Sequence, residues 1–120
     1  MQESNVMKSI MLCASKVGAR LFRNNVGVLQ DKFGNYVRYG LAQGSSDLIG
    51  WTQIEITPEM VGKKVAVFTA IETKKSNFKI KNTPEHQINF IEVVKKSGGI
   101  AGVACSDDDY KNILNKGLTS

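Results

Sequence analysis

This chain has little from which to build a disulfide scaffold, a zinc site or a membrane span. It holds two cysteines, Cys13 and Cys105, and one histidine, His86. Neither the ligand spacing of structural zinc nor a disulfide framework is present, so the thiols are expected to stay reduced inside a cell and to pack as small apolar side chains. No apolar segment approaches the roughly 20 residues that cross a bilayer. The opening stretch "MQESNVMKSIMLCASK" is polar throughout and lacks the apolar region of a signal peptide. A cytoplasmic protein with no membrane partner is the expectation. Repeats, low-complexity tracts and linkers are also missing, and 120 residues leave room for one domain, 1–120, with a real core and no second domain.

Acidic residues are the other shortage. Sixteen Lys and Arg face 11 Asp and Glu, giving a formal charge of +5 and a pI near 9.3. That balance favours an anionic partner, nucleic acid first among them.

Periodicity orders the rest. Met7, Ile10, Met11, Ala14 and Val17 recur at three- and four-residue spacing and predict a helix over Ser4–Val17, stopped by Gly18. "ARLFRNNVG" reads as a short strand running into a turn at Asn24, Asn25 and Gly27. "NYVRYGLAQ" reads as a second strand, preceded by a turn at "DKFGN". "GSSDLIGW" opens a short apolar strand after a loop of small residues, and "TPEMVGKK" is a polar connection. "VAVFTAIETKK" is nearly continuous in its apolar first part, as in a central strand covered on both faces. In "TPEHQINFIEVVKKSGG", Thr83 is the expected N-cap, Pro84 the first helical residue, and Gly98 or Gly99 the stop; Ile88, Ile91 and Val94 form the inward stripe. "GIAGVACS" is a further buried strand, and Ser106 caps a last short helix with Asp107, Asp108 and Asp109 in its first turn and Tyr110, Ile113 and Leu114 as anchors. The expected fold is α/β, in the order α-β-β-β-α-β-α, with one mixed central sheet flanked by helices.

The polar end of "AVFTAIETKK" needs explaining. An unpaired charge in a strand interior costs several kcal/mol or shifts until it is neutral. Either the strand surfaces at Glu72, or Glu72 and Lys74 meet something bound. Alternation places both on one face, about 7 Å apart by two residues of strand rise, so that they can converge on one phosphate. One carboxylate holds a hard cation poorly, and Mg²⁺ commonly takes one or two protein carboxylates with water and phosphate. Asp47, behind Gly44, Ser45 and Ser46, is the best second acid, although an aspartate in that place also serves as an ordinary turn residue.

"GSSDLIG" followed about 25 residues later by "AIETKK" resembles the D…E-x-K signature of the PD-(D/E)xK nucleases. "LFRNNVG", "PEHQINFIEVVKKSGGIAGVA" and the first-helix acid Glu3 narrow the resemblance to the VRR-NUC family, virus-type replication-repair nucleases, over residues 3 to 105. Ser46 stands where the superfamily has its proline, a substitution common in this group. The resemblance implies a restriction-endonuclease-like core and metal-dependent phosphodiester hydrolysis. Asp47, Glu72, the Thr73 main-chain carbonyl and, directly or through water, Glu3 would bind Mg²⁺ or Mn²⁺. Lys74 would orient or deprotonate the attacking water or offset transition-state charge. Gln87 would hydrogen-bond the water or a phosphate, unless it is simply a solvated helical glutamine. Arg23, Asn24, Asn25, Ser45, Ser46, Lys75 and Lys95 would contact the DNA backbone. His86 reads as a surface residue, and Trp51 and Tyr39 read as packing residues.

The substrate implied is branched DNA such as a four-way junction, cut by a homodimer in a bacterial or phage-infected cell. A structure-tolerant nuclease on flap or single-stranded DNA, or a non-catalytic basic DNA-binding protein on the same fold, are the competing readings.

Overall fold

Short strands closed by local polar contacts, and one strand–helix–strand crossover, are what this sequence builds. The computed structural model describes residues 3–119. The element order is α1 (Glu3–Lys16), β1 (Ala19–Arg23), β2 (Gly27–Gln30), β3 (Tyr36–Tyr39), β4 (Leu48–Thr52), β5 (Thr69–Thr73), α2 (Glu85–Lys96), β6 (Ile100–Ala104) and α3 (Asp107–Thr119), with single 3₁₀ turns at Pro58–Met60 and Ile80–Asn82. The fold is mixed α/β with three helices, and the chain divides into two compact units, one up to Ile54 and one from Glu55.

In the first unit α1 stops where expected. Gly18 takes φ +80° and the Val17 N–H donates to the Ala14 carbonyl at 3.1 Å. Of the predicted stripe Ala14 is buried and Met7 and Met11 are half-buried, whereas Ile10 and Val17 are exposed. β1 and β4 pair antiparallel from Ala19↔Thr52 to Arg23↔Leu48. Phe22 and Trp51 lie diagonal to each other across this pair, with ring centroids 5.5 Å apart, so Trp51 is a packing residue here. β2 and β3 form a hairpin across "DKFGN", where the Asp31 carboxylate accepts from the N–H groups of Phe33 and Asn35, both at 2.9 Å. Tyr39 stands opposite Gly27 and lies where a β-carbon there would be.

In the second unit β5 and β6 pair in parallel, from Thr69↔Ile100 to Thr73↔Ala104, joined through α2. Parallel neighbours need such a crossover. Ile91 and Val94 of α2 and Ile100, Ala101 and Ala104 of β6 are buried, with Val94 only 1% exposed. The α3 side chain Ile113 occupies the space over Gly102, and Ile100 the space over Gly117. Ser106 Oγ accepts from the Asp109 N–H at 3.1 Å while Asp109 Oδ2 accepts from the Cys105 N–H at 2.8 Å, a reciprocal cap that starts a helix of 13 residues rather than a short one.

Several expectations are corrected. Five strands precede α2 where the expected order has three; one of the added strands, β2, arises because the chain turns at Asn24–Val26 and pairs again. In place of one mixed sheet, the described strands form three two-stranded sheets, β1–β4, β2–β3 and β5–β6. Each is closed by its own connection, and among the described residues none takes a second neighbour. The apolar run from Val65 enters the ladder only at Thr69. Its partner β6 begins after the Gly98–Gly99 turn, and the Ile100 N–H makes its bond to the Phe68 carbonyl at 2.9 Å. Thr83 is buried but is not the N-cap; its hydroxyl donates backward to the Ile80 carbonyl at 2.6 Å, and Pro84 takes the cap position. Cys13 is exposed rather than packed, and both thiols are free.

Candidate active site

The β1–β4 ladder does not end at Arg23. Asn24 continues it by one step, its N–H donating to the Asp47 carbonyl at 2.8 Å. Asp47 thus sits at the entry to β4, exposed, with its main chain held by the ladder. The Asn24 carboxamide ties down the loop in front of it. Nδ2 donates to Ser45 Oγ at 2.7 Å and to the Ser46 carbonyl at 2.9 Å, and Oδ1 accepts from the Leu41 N–H at 3.0 Å. Asn24 and Ser45 are half-buried; Arg23, Asn25 and Ser46 are exposed, as is Glu3 in the first turn of α1.

In the second unit Glu72 and Lys74 do share a face. Lys74 Nζ lies 3.4 Å from Glu72 Oε1 and 5.2 Å from the centre of the Phe78 ring. The Lys74 N–H donates to the Ala104 carbonyl at 3.0 Å, so the backbone beyond β5 is held as well. Carboxylate, ring and backbone together leave the Lys74 side chain 18% exposed and the Glu72 side chain 35% exposed. The ammonium is therefore fixed in place against the carboxylate and the ring rather than free in solvent. Thr73, between them, points to the other face and is exposed. Lys75 is exposed, and Lys95 makes a surface ion pair with Glu92 at 3.8 Å.

Glu72 opens on a cleft of about 560 Å³, lined also by Ala70, Ile71, His86, Gln87, Phe90 and Ile91. Gln87 contributes a buried Oε1 that has no hydrogen-bond partner. A buried amide oxygen left unpaired costs free energy, and in a cleft it marks where a donor is expected to bind. His86 and Phe90 had not been read as cleft residues. The helical i, i+4 relation of His86 to Phe90 and of Gln87 to Ile91 is the signal that connects them to Gln87. Phe78 beneath Lys74 follows from no such period.

Within either unit, among the described residues, no three of His, Cys, Asp and Glu gather into a metal-binding cluster. The cleft offers the Glu72 carboxylate and Gln87 Oε1 beside the His86 imidazole, and the other unit offers the Asp47 carboxylate. The carboxylate and amide oxygens suit a hard cation such as Mg²⁺ or Mn²⁺. Among the described residues no helix is long and apolar enough to cross a membrane.

The profile of the VRR-NUC domain matches residues 8–108. No curated protein and no solved structure matches the chain.

Proposed function

Because the chain belongs to the VRR-NUC domain family, a nuclease family acting on DNA, we propose that it is a metal-dependent endodeoxyribonuclease selective for branched DNA such as four-way junctions. The match runs through both compact units, in keeping with one nuclease domain whose β5–α2–β6 segment is the centre of a PD-(D/E)xK-type core. The observation that carries the catalytic assignment is the acid and ammonium side by side at the end of β5, 3.4 Å apart, the acid lining a cleft that also holds an unpaired amide oxygen.

Asp47, Glu72 and the Thr73 main-chain carbonyl, with Glu3, would hold Mg²⁺ or Mn²⁺. When bound, the cation supplies Lewis-acid polarisation of the scissile phosphate and acidifies the attacking water. The residues of the chain do the rest. Lys74, already oriented by Glu72 and Phe78, presents a fixed positive charge, either to the attacking water or to the charge that gathers on the phosphoryl oxygens. Gln87 Oε1 accepts a hydrogen bond from that water, which orients its lone pair toward phosphorus. Arg23 and Asn25 in the first unit, and Lys75 and Lys95 in the second, contact phosphates and give affinity that falls with salt and carries little sequence preference. A two-fold junction needs two cuts, and one site per chain makes a C₂ homodimer the economical assembly.

Labelled four-way, flap, single-stranded and duplex DNA incubated with Mg²⁺ or Mn²⁺ tests the reading. The junction is expected to be cut fastest, by a species of twice the chain mass in light scattering. Asp47→Asn and Glu72→Gln are expected to reduce cleavage to background at any metal concentration, and Lys74→Ala to slow it by about 10²- to 10³-fold. Binding without cleavage by the unaltered protein, at every metal tried, would leave only a DNA-binding protein.

A further inference from the structure

We infer that Asn24 is a positioning residue for Asp47, acting through the loop ahead of β4 rather than through a phosphate of the substrate. The inference rests on the assignment of Asp47 to the metal site made above.

A side chain that reads DNA keeps its donors available. Those of Asn24 are both spent inside the protein, on Ser45 Oγ at 2.7 Å and the Ser46 carbonyl at 2.9 Å, and its acceptor receives the Leu41 N–H at 3.0 Å. One carboxamide thus bridges three points of the chain that are 17 to 22 residues away in sequence. Its own N–H fixes the Asp47 carbonyl at 2.8 Å. The four bonds grip both ends of the loop and stop at the residue whose carboxylate is to be aimed. A second, independent feature makes room for this arrangement. Gly40, at φ +82°, lies against the Asn25 carbonyl and the Val26 backbone so closely that no β-carbon fits. The loop is therefore pressed onto the turn that carries Asn24 as well as bonded to it. An aspartate that must meet a hard cation in a demanding geometry needs such fixing, because the loop residues Gly44, Ser45 and Ser46 supply little of their own.

The neighbouring asparagines divide the work on this view. Asn25 is exposed and remains available for a phosphate; Asn24 faces inward.

The test compares wild-type protein with Asn24→Ala, measuring Mn²⁺ affinity by calorimetry without DNA and junction affinity in Ca²⁺ across a salt series. Loss of a residue that orients a ligand is expected to weaken Mn²⁺ binding by about 10- to 100-fold, with the salt slope of DNA binding unchanged. An unaltered Mn²⁺ affinity together with a junction affinity lowered at every salt concentration would instead make Asn24 a phosphate contact and overturn the inference; no change in either quantity overturns it too. Should Asn24→Ala fail to fold, Ser45→Ala removes only the 2.7 Å bond. A smaller fall in Mn²⁺ affinity is then expected, and none overturns the inference. A wild type that neither binds Mn²⁺ nor cuts DNA brings down the nuclease reading and this inference with it; a normal wild type with an unaffected variant brings down the inference alone.

Discussion

The two units each carry one acid at the end of a short strand, and they hold it by different means. Among the described residues of the unit up to Ile54 the buried apolar ones are Ala14 and Ala19, with only methyl side chains, while Leu29, Phe33 and Tyr36 of the hairpin are exposed. What order surrounds Asp47 comes from the Asn24 carboxamide, which bonds the loop ahead of it, and from Gly40 in a conformation other residues avoid. Among the described residues of the unit from Glu55 the buried apolar ones, Ile91, Val94, Ile100, Ala101 and Ala104, belong to α2 and β6, the elements next to the strand bearing Glu72. Directional bonds fail atom by atom, and packed interiors fail by volume. The same substitution should therefore have unlike consequences in the two units.

The largest difference should be in stability. Val94→Ala removes two methyl-sized groups from the most buried side chain of the second unit and leaves a cavity, which should cost about 2 to 3 kcal/mol. Leu29→Ala, at a residue 64% exposed in the first unit, should fall within about 0.5 kcal/mol of the unaltered protein. Chemical denaturation of the two variants gives both numbers. A Leu29→Ala cost near that of Val94→Ala would break the contrast and mean that the hairpin is covered in solution, by a second copy among other candidates.

A smaller effect, of opposite sign, should appear at Gln87. Its buried Oε1 is unpaired, so Gln87→Leu should stabilise the protein by about 1 kcal/mol while slowing cleavage. Gain of stability with loss of activity is the pattern of a group kept for its task. If the variant is destabilised, the oxygen has a partner in solution and the cleft is better satisfied than its geometry indicates.

Patterns of short period were legible in the sequence. Alternation put Glu72 beside Lys74, Gly18 ended α1, "DKFGN" made the turn, and Ser106 capped α3. Asp47 is singled out in the sequence as the second acid, behind Gly44, Ser45 and Ser46, and by its place in a motif. Contacts that join residues far apart in sequence were not legible, because no period encodes them. In the sequence Asn24 reads as a turn residue and a contact to the DNA backbone, and nothing there points to its bonds with Leu41, Ser45 and Ser46. Thr83 has the composition of an N-cap, yet its hydroxyl closes the preceding 3₁₀ turn. The extent of β5 was overread for a related reason. Apolar character continues back to Val65, but a strand is as long as its partner, and β6 starts only at Ile100.

The smallest effect bears on which unit meets the substrate. Arg23 and Lys75 are exposed, one in each unit, a single residue beyond Asn24's tie and Lys74's ion pair respectively. Each phosphate neutralised contributes about 0.9 to the slope of log affinity against log salt. If both units lie along the DNA backbone, Arg23→Ala and Lys75→Ala should each reduce that slope by about one, and the double variant by about two, since separate contacts add. Lys95 serves as the internal standard, because its pairing with Glu92 at 3.8 Å is an exposed one and worth little on its own. A slope that answers to Lys75 and Lys95 but not to Arg23 would put the backbone on the second unit alone. Asp47 would then approach the phosphate without help from its neighbours in sequence, and the fixed loop ahead of β4 would carry the whole task of bringing it there.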